Sequence, residues 1–247
     1  MSNREKTNKL PASFKLIQMY EVPRLAIEIA SAILYFILVR YMIKPYGLTR
    51  EERYLGLPLG FVFLGVSEVS LAIGIITPHS ELGTISLVMR TFAFVFLAFT
   101  YYFSRDSTRN SRFVWIITLS CLIVGLATLC LSLVSAPLMS IGISANFGIF
   151  LRILALFCLS YICVHTLRSH TKEPDPTTIW IPIGFLLLAI SQYSQLIRAA
   201  DENYLYGVAF IGGLTARFIG LAIFLFTAYR TFNKSRKSEG IDEKNRS

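Results

Sequence analysis

Seven apolar runs, each about the 20 residues that carry an α-helix across a bilayer core, constrain this chain more than any motif within it. They fall near 24–43, 55–76, 84–103, 113–134, 146–167, 178–199 and 207–230. Of the 247 residues 54% are hydrophobic and only 16% charged, where a soluble domain carries about a quarter charged. Turn and breaker residues stand between the runs: Pro45 to Gly47, Pro78, Ser135 to Pro137, and Pro174 to Pro176. The expected fold is an all-α polytopic membrane protein with seven transmembrane helices. A basic segment (1–23) precedes the bundle (24–230), and a disordered cytoplasmic tail (231–247) follows it. No run before residue 24 has the length of a signal peptide's apolar region, so the first span is expected to be retained.

The net charge of +9 suggests nucleic acid only until the charges are placed. They lie between the apolar runs and near the C-terminus, the distribution of cytoplasmic loops in a membrane protein, and no nucleic-acid partner is expected. Arg40, Lys44, Arg50 and Arg53 follow the first run; Arg105, Arg109 and Arg112 follow the third; Arg168 and Lys172 follow the fifth; Arg230, Lys234, Arg236 and Lys237 follow the seventh. The intervening connections, 77–83, 135–145 and 199–206, hold no Lys or Arg. The positive-inside rule then puts the C-terminus in the cytoplasm and, with seven spans, the N-terminus outside. The expected location is the cell (plasma) membrane. Arg4, Lys6, Lys9 and Lys15 run against this orientation, and the short stretch 14–20 can lie on the membrane surface.

Two stretches repeat. "PLGFVFLGVSEVS" (58–70) and "PIGFLLLAISQYS" (182–194) share Pro, Gly, Phe, Leu and both Ser in register, with Gln192 where Glu68 stands. "MRTFAF" (89–94) and "ARFIGL" (216–221) share an Arg followed three residues later by a small residue. Laying 182 over 58 carries the first run onto the fifth and sets Glu28 opposite Arg152. The simplest reading is two parallel three-helix units, 24–103 and 146–230, joined by a linker helix over 113–134. This 3+1+3 plan resembles that of SWEET and PQ-loop transporters and of microbial rhodopsins. The likeness is one of plan alone. The chain holds no Pro-Gln dipeptide, no Lys from Tyr206 to Tyr229 for a retinal Schiff base, and Ala93 where a pump's third-helix acid would stand.

Charges inside the spans form one layer. Counting inward at about 1.5 Å per residue, Glu28, Glu68, Arg90, Arg152, Gln192 and Arg217 all fall roughly 6–15 Å below the outer boundary. Ser67, Ser70, Ser191, Ser194, Gln195 and Asn146 lie close to that level. A charge at mid-membrane costs on the order of 2.5–3.5 kcal/mol, so these groups are expected to face inward and pair. An Arg fork suits a carboxylate or phosphate. The candidate ligand-binding or buried polar network is therefore Glu28, Glu68, Arg90, Arg152, Ser191, Gln192, Gln195 and Arg217. Arg24 and Arg198 are expected to anchor at the outer boundary, and Gly212-Gly213 to mark helix packing.

No catalytic, cofactor or metal constellation is expected. His79, His165 and His170 have no acid or thiol at ligand spacing, and no GxSxG, HExxH or Walker-type loop occurs. Cys121, Cys130, Cys158 and Cys163 lie within apolar runs as buried thiols. Tyr101, Tyr102, Trp115, Trp180 and Tyr229 fit an aromatic belt at the inner boundary. Two functional expectations follow. One is a non-enzymatic protein that binds or transports a small anionic or zwitterionic solute through the Arg/Glu layer. The other is a membrane sensor or scaffold acting through a partner membrane or cytoplasmic protein, with the layer purely structural.

Overall fold

The computed structural model describes residues 12–49, 56–77, 80–103, 116–117, 120, 123–127, 145–172, 179–200 and 206–244. Six long helices make up nearly all of these: α1 (Ala12–Thr49), α2 (Gly56–Ile76), α3 (Ser80–Phe103), α4 (Ala145–Lys172), α5 (Trp180–Ala200) and α6 (Tyr206–Lys244). Each contains a stretch long and apolar enough to cross a bilayer: Val22–Lys44, Gly56–Ile76, Leu82–Tyr102, Phe147–Lys172, Trp180–Ile197 and Phe210–Thr231. These match six of the seven runs read from the sequence to within a few residues. The chain is a helical, multi-pass membrane protein. The remaining run, 113–134, falls largely outside the described residues. Its described part is helical at 123–127, where Leu126 packs on Val88 of α3 and Leu151 of α4.

Local chemistry explains several helix ends. Pro58 and Pro182 both sit in a first helical turn, where the missing N–H removes no intrahelical bond. At the end of α2, the backbone N–H and Oγ1 of Thr77 both donate to the Ile73 carbonyl, at 2.8 and 2.7 Å. Two helices outrun the expected spans. α1 begins at Ala12, so 14–20 continues the first helix, and α6 continues to Lys244 through the expected tail. Lys, Arg and Glu in that extension are good helix formers.

The six helices close a ring in chain order, each touching the next and α6 touching α1. Neighbours are antiparallel except at two junctions. Between α3 and α4 the contacts climb together: Thr91 Oγ1 reaches the Leu151 carbonyl at 3.4 Å, and the Tyr101 and His165 rings lie 5.7 Å apart. Between α1 and α6, Arg24 stacks on Phe210 and Glu28 pairs with Arg217. Both junctions are therefore parallel.

The ring is filled differently at its two ends. Toward the basic connections, Tyr35, Phe61, Phe94, Leu97, Phe185, Leu188, Leu221 and Phe224 form a buried apolar cluster. Phe224 lies at its centre, edge-on to Phe61 at 5.7 Å and to Phe185 at 4.8 Å. Two glycines let the helices come this close. A Cβ at Gly60 would stand 2.6 Å from the Leu97 side chain, and one at Gly184 would stand 2.8 Å from the Phe224 ring. Toward the other end the interior turns polar. The outer surface carries exposed Ile33, Ile73, Phe157, Val164, Leu186 and Phe226, the apolar face that a bilayer covers.

Candidate functional site

Each of the six helices brings polar side chains to the polar end, and the sequence places them at similar depth. Arg217 on α6 is the hub. Its Nη1 donates to both carboxylate oxygens of Glu68 on α2, each at 2.8 Å, and its Nη2 donates to Glu28 Oε2 on α1. Arg217 is 1% exposed and Glu68 0%, which puts this bridge out of reach of bulk water. Arg90 on α3 completes the group. Its Nη2 pairs with Glu68 Oε1 at 3.0 Å, while its Nη1 donates to Gln195 Oε1 on α5 at 2.9 Å. Two cations and two anions thus sum to zero in the interior, the condition under which buried charge is tolerated.

Above this group lies a cavity of about 360 Å³, at the small end of the roughly 300–1,000 Å³ typical of small-molecule sites. All six helices line it. Its charged lining is Arg24, Glu28, Arg90 and Arg152, and its neutral polar groups include Thr84, Ser86, Ser194 and Gln195. Arg152 lines the cavity from α4, with Nη1 3.6 Å from where a Cβ on Gly148 of its own helix would stand. A wall carrying three guanidiniums and one carboxylate favours anions over cations.

The structure divides the expected site residues into two tiers. Glu28, Arg90, Arg152 and Gln195 line the cavity. Glu68 and Arg217 lie beneath it as the ionic support, and Ser191 and Gln192 are buried outside the lining, 1% and 2% exposed. Ser67, also buried, is spent on α3: its Oγ donates to the Ser86 carbonyl at 2.9 Å. Arg24, expected as a boundary anchor, stands near the start of the first candidate span and also lines the cavity one turn from Glu28, with its guanidinium over the Phe210 ring at 5.6 Å. The i, i+4 spacing of Arg24 and Glu28, which places both on one helix face, was the available signal. Gly213 meets the packing expectation, because a Cβ there would approach Ser194 to 2.8 Å, whereas Gly212 faces open space. Among the described residues no three His, Cys, Asp or Glu side chains group as metal ligands.

The chain matches no protein-family model, no curated protein and no solved structure.

Proposed function

We propose that this protein is a non-enzymatic, seven-helix membrane protein that binds a small anionic or zwitterionic solute in the cavity above the Arg/Glu group, and carries it if the bundle rocks. The observation that carries this reading is the cavity itself, where Arg24, Arg90 and Arg152 converge. Arg90 is held by Glu68 and Gln195, which supplies the fixed geometry that anion recognition requires. Gln195 and Arg152 would orient the solute, and the Glu68–Arg217–Glu28 bridge would hold the floor of the site in place.

The 3+1+3 organisation is part of the proposal. The two parallel junctions, α3 with α4 and α1 with α6, are what two three-helix units facing each other about one axis would produce. Matched positions support the repeat. Gly60 meets Leu97 as Gly184 meets Phe224, and Thr100 and Thr227 each bond back to the carbonyl four residues earlier. Parallel α3 and α4 also require the intervening chain to cross the membrane once more. In this reading 113–134 is the seventh span, the basic end is cytoplasmic, and the cavity opens outside. Cysteine variants Ser107→Cys and Ser140→Cys, on a background lacking the four native cysteines, are expected to react with an impermeant maleimide from opposite sides of sealed cells. Reaction from the same side would remove the fourth crossing.

A sensor or scaffold role draws on the charge balance of Glu28, Glu68, Arg90 and Arg217, which suits a purely structural network. The cavity, lined from all six helices, favours binding. The deciding experiment is thermal melting of the detergent-purified protein against small anions, amino acids and sugars, beside Arg152→Gln. A solute at 100 times its Kd is expected to stabilise by about 2.7 kcal/mol in the wild type and far less in the variant. If no compound shifts melting, the scaffold reading replaces this one.

A further inference from the structure

Two carboxyl groups and one cavity meet at Glu28, and their arrangement bears on what enters with a solute. Each terminal nitrogen of Arg217 fixes one carboxylate, Glu68 on Nη1 and Glu28 on Nη2. Held on one fork, the two carboxyl groups stand close enough to hydrogen-bond to each other. Neither member of such a contact can donate unless it carries a proton. Two acids at one site titrate as a pair, and the first proton they take belongs to both.

The pair touches the cavity through one member. Glu28 is the one carboxylate in the described lining, while Glu68 is fully buried beneath it. The other charges facing the pair are guanidiniums, which keep their charge at any working pH. Arg90 on α3 and Arg217 on α6 contact it, and Arg24 on α1 and Arg152 on α4 line the cavity beside it. From α5 come the neutral Ser194 and Gln195. The buried Tyr35 phenol, about two turns further along α1, lies within electrostatic range of both carboxyl groups.

Charge links a proton on this pair to an anion in the cavity. With both carboxylates ionised, Glu28 and Glu68 balance Arg90 and Arg217. With one proton on the pair, two cations face one anion. A solute anion in a cavity of about 360 Å³ stands close to Glu28, and an ionised carboxylate repels it through a medium that screens poorly. Resting on the binding role proposed above, we propose that the solute anion enters together with one proton, which passes from solvent through the cavity and is held between the Glu28 and Glu68 carboxyl groups. One negative and one positive charge enter, so the interior keeps its balance. Each strengthens the binding of the other by the same factor. In a bundle that rocks, the same step makes a proton gradient a driving force for the solute.

The test is calorimetry on the full-length protein in detergent with nitrate, methanesulfonate and sulfate, whose charges are constant between about pH 5 and 8. The pair repels an anion most when doubly ionised, so in the wild type the Kd is expected to tighten as pH falls, by up to about tenfold per unit. Heats in two buffers of unlike ionisation enthalpy are expected to show up to about one proton taken up per monovalent anion. Glu28→Gln is expected to bind with neither pH dependence nor proton uptake, because a lone Glu68 has no second acid with which to share a proton. Glu68→Gln gives the same result from a different helix and serves if the first variant does not fold. Equal binding at every pH in the wild type overturns the linkage and leaves the binding role standing. A pH dependence that survives these substitutions overturns the assignment to the pair. If none of the three anions binds at any pH, the linkage and the binding role fall together.

Discussion

Arg217→Met is expected to lower the unfolding free energy by about 3–5 kcal/mol, the usual loss when one partner of a buried ionic group is removed. The size follows from what is left behind. Glu68 and Glu28 both take their bonds from this guanidinium, so without it two buried carboxylates face each other with Arg90 as their remaining cation in the group. The measurement is thermal melting in detergent, with Glu28→Gln added as the second arm. Removing one carboxylate restores the balance, Glu68 against Arg90, so the double variant is expected to regain more than half of the lost stability. That non-additivity separates an ionic cause from lost packing. If Arg217→Met melts with the wild type, the bridge contributes nothing and resembles an exposed surface pair.

Phe224→Ala is expected to cost about 2–3 kcal/mol and to open the floor beneath the cavity. Phe224 packs against Phe61, Phe185 and the Gly184 backbone position. In a bilayer the removed ring loses little by way of water transfer, because lipid is as apolar as the interior. The cavity and lost-dispersion terms remain, which puts the cost below the 3–5 kcal/mol seen for Phe→Ala in soluble cores. The same deletion removes the centre of the apolar barrier between the cavity and the basic end. Proteoliposomes bearing Phe224→Ala are expected to release a trapped small anion faster than wild-type ones. Equal retention in the two would mean that the barrier lies elsewhere in the bundle.

Much of this architecture was legible in the sequence because lipid imposes a simple rule on apolar runs. Charges within such runs stand out against it, so the depth of Glu28, Glu68, Arg90 and Arg217 can be counted from the sequence. Their partners cannot. Whether Arg217 meets Glu28, Glu68 or both depends on how the ring closes between α1 and α6, a contact that no local pattern encodes. The same limit separated Gln195, which reaches Arg90, from Ser191 and Gln192, which are buried outside the cavity lining. They stand about one helical turn apart on much the same face of α5, so depth along the helix separates them, and how far inward the cavity reaches is set by tertiary packing. The shared Pro-x-Gly-Phe of 58–61 and 182–185 carried more than its register: both glycines turned out to be points of close approach and both phenylalanines part of the same aromatic floor. The place of Arg24 near the start of its span could be counted in the same way, whereas its share in the cavity lining could not.

The position of Arg217 also sets an order of assembly. A chain emerging from the ribosome presents Glu28 and Glu68 to the membrane first, and their bridging cation arrives with the last helix, 149 positions after Glu68. At about 5–20 residues per second, that interval is on the order of 7–30 s. During it Arg90 on the third helix is the one member of the group able to offset the two acids, so a nascent bundle passes through a stage in which the membrane holds an unbalanced carboxylate. The ionic group of Glu28, Glu68, Arg90 and Arg217 is therefore complete only once α6 has packed against α1 and α2.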